Sequence, residues 1–334
     1  MILAARPEGK ELGCCDDDRE TLDPRRRAID AAPVPAPPPP RDAPVDAAAL
    51  DAASSRPRRL TIDLDGAWCY RQIHGVGGGD DDDDDHLLAA GLPRFLELCA
   101  RLSVTATLFV VGVDLRRERY ARLIAAAAAA GHQVMSHSHS HAYDLSRWPR
   151  ARIVDDVAAS VAAIEAVTGA RPTGFRAPGY NLSPALLDAV VDVGLRWSSS
   201  LLPAPAYFGA RALVIARTAL AGRRSASLLG DPRAFGLRRR RRHPNGLEEF
   251  PISAPWGVPL TGTVLALLPD SAAAWLGDAA ALRSSGVGDD PLLELHAADF
   301  VDGELLPAGQ PDRHVPLVDK LRRIERAARA VVGA

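Results

Sequence analysis

The body of the chain alternates β-like and α-like segments, and that alternation restricts the fold more than any other feature of the sequence. Residues 104–111 are apolar and β-branched, the composition of a buried strand. Residues 119–130 and 151–168 read as helices, the second apolar at Ile153, Val154, Val157, Val161 and Ile164. Gly131 and Gly169 stand where helix stops are expected. Ser183 is placed to cap a further helix, with Pro184 at its first position. Residues 250–253, 263–268 and 292–296 read as strands, and 317–332 as a closing helix. Regular alternation of this kind calls for a parallel sheet or barrel.

Three short strings within this frame carry chemistry. Thr61-Ile62-Asp63-Leu64-Asp65-Gly66 ends a strand-like run with two acids. Residues i and i+2 of a strand share a face, so both carboxylates can address one site. His137-Ser138-His139-Ser140-His141 places two imidazoles four apart, the spacing of one helical face, with His139 pointing elsewhere. Imidazole with carboxylate suits zinc and similar divalent ions. One aspartate then binds the ion and the other takes a proton from the attacking water. Phe175-Arg176-Ala177-Pro178-Gly179-Tyr180 sets an arginine beside a rigid turn. Each string has a plain alternative: a turn and helix cap for the acids, adventitious binding for the histidines, an ordinary loop for the arginine. Together they describe a divalent-metal hydrolase site, and His296 after Leu295 adds an acid.

The combination resembles the polysaccharide deacetylase family, the NodB-homology group of carbohydrate esterases, over roughly residues 58–331. The resemblance implies an irregular (β/α) barrel with the site at the C-terminal ends of the strands. It implies that Asp63 is the catalytic base, that Asp65, His137 and His141 hold the metal, and that Arg176 orients the base. It further implies that a backbone N–H near Tyr180 holds the oxyanion and that His296 is the general acid. Because Leu64 separates the two aspartates, base and ligand are assigned by order and are open to reversal. The fourth motif departs most: the run 194–200 has Ser198 where relatives carry an aspartate, Trp197 falls at the substrate side, and Asp299 is the candidate substitute for tuning His296. The expected reaction removes an N-acetyl group from an amino sugar in a polysaccharide or lipid-linked glycan. The alternatives are another C–N hydrolase acting on a small amide or formyl group, and a non-catalytic carbohydrate-binding relic.

The remainder sets the boundaries. At 334 residues, 47% hydrophobic and formal net charge −2, the chain accommodates one large α/β domain and argues against a nucleic-acid partner. Residues 1–57 read as a disordered leader, marked by the proline run 33–40, ahead of a catalytic domain at 58–334. No signal peptide is evident. Cys14, Cys15, Cys69 and Cys99 fit no zinc spacing, so a reduced, cytoplasmic setting is expected. The acidic run 80–85 and the arginine run 238–242 read as solvated loops. Residues 201–221 are too interrupted by Pro203, Pro205, Arg211 and Arg217 to span a membrane. They suit an amphipathic flap, and residues 201–242 a peripheral membrane contact.

Overall fold

The computed structural model describes residues 55–75, 85–229, 239–285 and 289–333. The expected leader falls outside these apart from residues 55–57, as do residues 80–84 of the acidic run and Arg238.

Eight strands make one sheet: β1 (Leu60–Leu64), β2 (Thr107–Val110), β3 (Gln133–Ser136), β4 (Gly174–Phe175), β5 (Trp197–Ser198), β6 (Arg241–Arg242), β7 (Glu248–Glu249) and β8 (Leu293–His296). The ladder runs β6-β7-β5-β4-β3-β2-β1-β8, and only the β6–β7 pairing is antiparallel. The helices are α1 (Ala67–His74), α2 (Asp85–Arg101), α3 (Glu118–Ala129), α4 (Arg150–Thr168), α5 (Pro184–Asp192), α6 (Pro205–Leu220), α7 (Gly262–Leu267), α8 (Asp270–Ser285) and α9 (Leu317–Val332). Among the described residues none is long and apolar enough to cross a membrane.

β1 shows how the sequence builds the layers. Leu60, Ile62 and Leu64 enter the large core with Leu92 and Phe95 of α2 and Ile324 of α9. Thr61 and Asp63, on the alternate face, point the other way. A second cluster fills that inner face: Phe109, Met135, Trp197, Phe250 and Leu292. Phe250 follows β7 and Leu292 precedes β8, at opposite ends of the ladder, so the sheet curls until its ends meet. Ser253 closes the gap. Its N–H donates to the Leu292 carbonyl at 3.2 Å, and its hydroxyl accepts from the Leu292 N–H at 2.9 Å. The result is the irregular (β/α) barrel of the sequence reading.

Local details follow the residues. The α4 helix ends at Gly169 with φ 70°, and Gly131 lies just past α3 with φ 89°. Ser183 Oγ accepts from the Leu186 N–H at 3.2 Å, capping α5 with Pro184 as its first residue.

Three expectations are corrected. Residues 250–253 make closing contacts without forming a regular strand, because Pro251 within them and Pro255 just beyond have no N–H for a ladder. Residues 263–268 belong largely to helix α7; a short apolar run does not distinguish a strand from a buried helix. Asp299 decides the matter here. Its carboxylate accepts from Thr263 Oγ1 at 3.2 Å, and a Cβ on Gly262 would lie 1.9 Å from it. Finally, Arg241–Arg242 is an edge strand instead of a loop, with Arg240 and Arg242 both paired to Glu248.

Candidate active site

The strand register assembles the site. Asp63 pairs in register with Phe109 on β2 and with His296 on β8. Asp63 and His296 therefore share the inner face at the C-terminal ends of adjacent strands. Asp65 follows immediately after β1.

His137 and His141 come from the loop after β3, which corrects the helical turn read from their spacing. Two non-glycine residues there have left-handed backbone, Ser138 at φ 64° and His141 at φ 49°. Such geometry costs about 1–2 kcal/mol per residue and is fixed by hydrogen bonds. Ser138 Oγ accepts from the His141 N–H at 3.0 Å, and Asp156 of α4 accepts from the N–H groups of His139 and Ser140 at 2.9 and 3.1 Å. His139 turns instead toward Gly112, where a Cβ would lie 2.7 Å from its Nδ1.

Asp65, His137 and His141 converge. Asp65 Oδ1 lies 3.3 Å from His137 Nε2 and 3.2 Å from His141 Nε2. His137 Nδ1 lies 2.9 Å from the Arg176 carbonyl, a contact that turns Nε2 inward. Asp65 Oδ1 and His141 Nε2 are buried and make no well-formed hydrogen bond. These orphaned atoms, grouped with the His137 imidazole, make a set of one carboxylate and two imidazoles that fits a divalent cation. Burial works against the Asp65 carboxylate, but the two histidines outweigh it and hold its pKa well below the usual range.

Asp63 has different company. Arg176 Nη1 donates to Asp63 Oδ1 at 2.6 Å and to Thr61 Oγ1 at 3.0 Å. Arg176 is fully buried, 4.1 Å above the Phe109 ring, and Ser199 accepts from it through its carbonyl at 2.7 Å and its hydroxyl at 2.9 Å. Burial raises the Asp63 pKa; Arg176 and His137 oppose the rise without cancelling it.

The sequence reading missed Glu294. This fully buried carboxylate sits 3.0 Å from His296 Nδ1. Burial alone would favour a neutral ring, but Glu294 drives the His296 pKa well above its ordinary value. The His296 charge in turn lowers Glu294 against its own burial. The signal was present in Leu293-Glu294-Leu295-His296, because an acid two before a histidine on a strand shares its face. Asp299 meets His296 in a different way: its Oδ2 accepts from the His296 backbone N–H at 2.7 Å, and its own backbone N–H donates to the His296 side chain. Ser198 instead shares a 2.8 Å hydrogen bond with Ser200, whose hydroxyl accepts from the Ala177 N–H.

Two further expectations change. The Tyr180 N–H donates to the Ala177 carbonyl at 3.0 Å and is occupied. Tyr180 enters the site by its side chain, which lines the cleft together with Glu294 and His296. Trp197 does not reach the cleft. It is fully buried with Phe109, Met135 and Phe250, donates to Thr173 Oγ1 at 3.3 Å, and crosses so close to Gly174 that a Cβ there would lie 2.1 Å from the indole.

Known proteins resemble the chain in part of its sequence and in its fold. The polysaccharide deacetylase family profile matches residues 81–198. A peptidoglycan deacetylase of Helicobacter pylori is 30% identical over 112 residues, 34% of this chain and 37% of its own length. The chain thus spans just over a third of that relative. A crystal structure of a candidate polysaccharide deacetylase from Mycobacterium smegmatis superposes with a TM-score of 0.52 at 18% identity, over 80% of this chain and 83% of that one. A family 4 carbohydrate esterase pseudoenzyme from Bacillus anthracis gives 0.34 at 19% identity, over 52% of this chain and 53% of that one. Residues 81–198 thus resemble the polysaccharide deacetylase family in sequence, and the chain as a whole shares the fold of the Mycobacterium smegmatis structure.

Proposed function

We propose that the protein is a metal-dependent N-deacetylase of an amino sugar carried in a polysaccharide or a lipid-linked glycan. One observation carries the reading. A buried Asp65–His137–His141 donor set with orphaned facing atoms adjoins two separately anchored groups, Asp63 on Arg176 and His296 on Glu294. Asp65, His137 and His141 would hold a divalent ion, zinc first, which supplies Lewis acidity toward water and the amide carbonyl.

The chain's own groups divide the proton work. Arg176 occupies Asp63 Oδ1 and leaves Oδ2, 3.9 Å from His137 Nε2, to accept the proton of the attacking water. The raised pKa of Asp63 makes it a better acceptor than an ordinary aspartate. Glu294 occupies His296 Nδ1 and leaves Nε2, 3.9 Å from Asp65 Oδ2, to protonate the departing nitrogen. The amide C–N bond breaks, its carbonyl carbon leaves as acetate, and the sugar keeps a free amine.

The test is acetate and amine release from chitooligosaccharide and from a lipid-linked N-acetylamino sugar, with Asp63→Asn alongside. Release by the native protein and its loss in the variant support the reading. No release from either substrate class by metal-loaded protein counts against it.

A further inference from the structure

The cleft over the site has a polar floor and apolar walls. The floor is Asp63, Asp65, His137, Glu294 and His296. Beside them Tyr70 and Tyr143 line the cleft; each is 5% exposed, and their hydroxyls make no hydrogen bond among the described residues. These hydroxyls suit a polar head. The walls carry some polar side chains too, among them Ser227 and Gln310. Arg211, however, is engaged by the Gly179 and Leu228 carbonyls and the Tyr207 hydroxyl, Thr263 donates to Asp299, and most of the lining surface is apolar. Ala206, Ala210 and Val214 fall four apart on one stripe of α6. Val258, Val264 and Leu267 come from α7 and the segment before it. A glycan buried against these apolar stretches would leave the hydroxyls facing them without partners, at a cost of about 1–3 kcal/mol for each. Methylene groups would lose nothing there. The volume, about 460 Å³, is of the size that takes one small molecule, roughly 300–1,000 Å³.

The position of the walls assigns the apolar part of the ligand. α7 packs against β8, and Thr261 bridges to Glu294 beside His296. His296 must face the departing nitrogen, so the α7 wall borders the amine-bearing half of the substrate. The outward side of α6 is of the same character, with Leu213 60% and Leu220 88% exposed on either side of Arg217. Such a face suits the aggregates that chain-bearing sugars form.

We propose that the cleft binds an aliphatic chain on the amine-bearing half of the substrate, so that the natural substrate is an N-acetylated amphiphile and not a bare glycan. The assignment rests on the deacetylase reading, and the experiment separates the two. Binding of alkyl glycosides of glucosamine, which carry no amide to cleave, is measured by calorimetry on the intact protein below their aggregation concentrations. Chains run from one to eight carbons. Kd should fall about two- to fourfold per methylene, fourfold being full burial, until the cleft is filled. Val214→Glu and Leu267→Glu, both at positions that retain solvent contact, should flatten that dependence. In a second arm, kcat/KM for acetate release should rise along the matching alkyl glycosides of N-acetylglucosamine. It should not rise when the N-acyl group is lengthened instead. A Kd independent of chain length in the native protein overturns the proposal, as does a rate that tracks the N-acyl chain. A falling Kd with no acetate released from any substrate upholds the chain site and overturns the deacetylase reading.

Discussion

Glu294→Gln isolates the least expected contact in the site. The substitution preserves shape and removes the charge facing His296 Nδ1 at 3.0 Å. A hydrogen bond to a charged group contributes about 1.5–3 kcal/mol, so kcat for amide cleavage should fall roughly 10- to 100-fold at 1.4 kcal/mol per tenfold. The loss should fall on substrates with a poor amine leaving group and spare an activated acetyl ester, whose leaving group needs no proton. The pH profile gives an independent sign. Glu294 holds the His296 pKa well above its ordinary value, so the acid form persists to higher pH in the native protein. Without Glu294 that pKa drops, and the alkaline limb of activity moves to lower pH. The decisive assay is a double-mutant cycle on acetate release. If Glu294 acts through His296, adding Glu294→Gln to His296→Ala costs nothing further. Additive losses, or equal losses on amide and ester, would refute the reasoning and make Glu294 a structural residue.

Other consequences follow from the same geometry. Asp63→Asn should retain one divalent ion per chain by elemental analysis and lose turnover by at least about a hundredfold; if Asp65→Asn keeps the ion and Asp63→Asn loses it, the two roles are exchanged. Trp197→Ala removes a fully buried indole from the barrel interior and should destabilise the fold by about 3–5 kcal/mol in urea unfolding; a stable variant with altered substrate preference would return Trp197 to the substrate side. Asp299 titrates at about 7 against an ordinary 3.8 because it is buried. Between those values the folded chain holds a proton that the unfolded chain has released, so stability falls as pH rises from 4 to 7, by about 4 kcal/mol. Asp299→Asn should remove that dependence, and thermal melts at pH 5 and 8 would show whether it does.

The sequence made the barrel legible where signals were local and strong. Gly169 and Ser183 mark helix ends by chemistry that acts within one turn. Asp63, Asp65, His137, His141, Arg176 and His296 could be singled out because short motifs carry them, and the structure brings all six together. What stayed hidden depended on contacts distant in sequence. Residues 263–268 read as a strand because nothing nearby shows that Asp299 abuts Gly262. Trp197 resembled a substrate contact because its packing on Phe109 and Phe250 joins strands far apart in the chain. Tyr180 looked available as a donor because the turn that engages its N–H is a matter of backbone conformation. Glu294 was overlooked because the alternating leucines around it read as a plain strand, and only the register with β1 shows that its face is the inner one.

The most direct test of the central claim is a metal titration of the chelated protein, read simultaneously by bound ion and by acetate release from an N-acetylamino sugar. Activity should return in proportion to bound zinc and end at one ion per chain. His141→Ala should bind no stoichiometric ion and recover no activity. Full activity in the metal-free protein, or stoichiometric zinc retained by His141→Ala, would contradict the account.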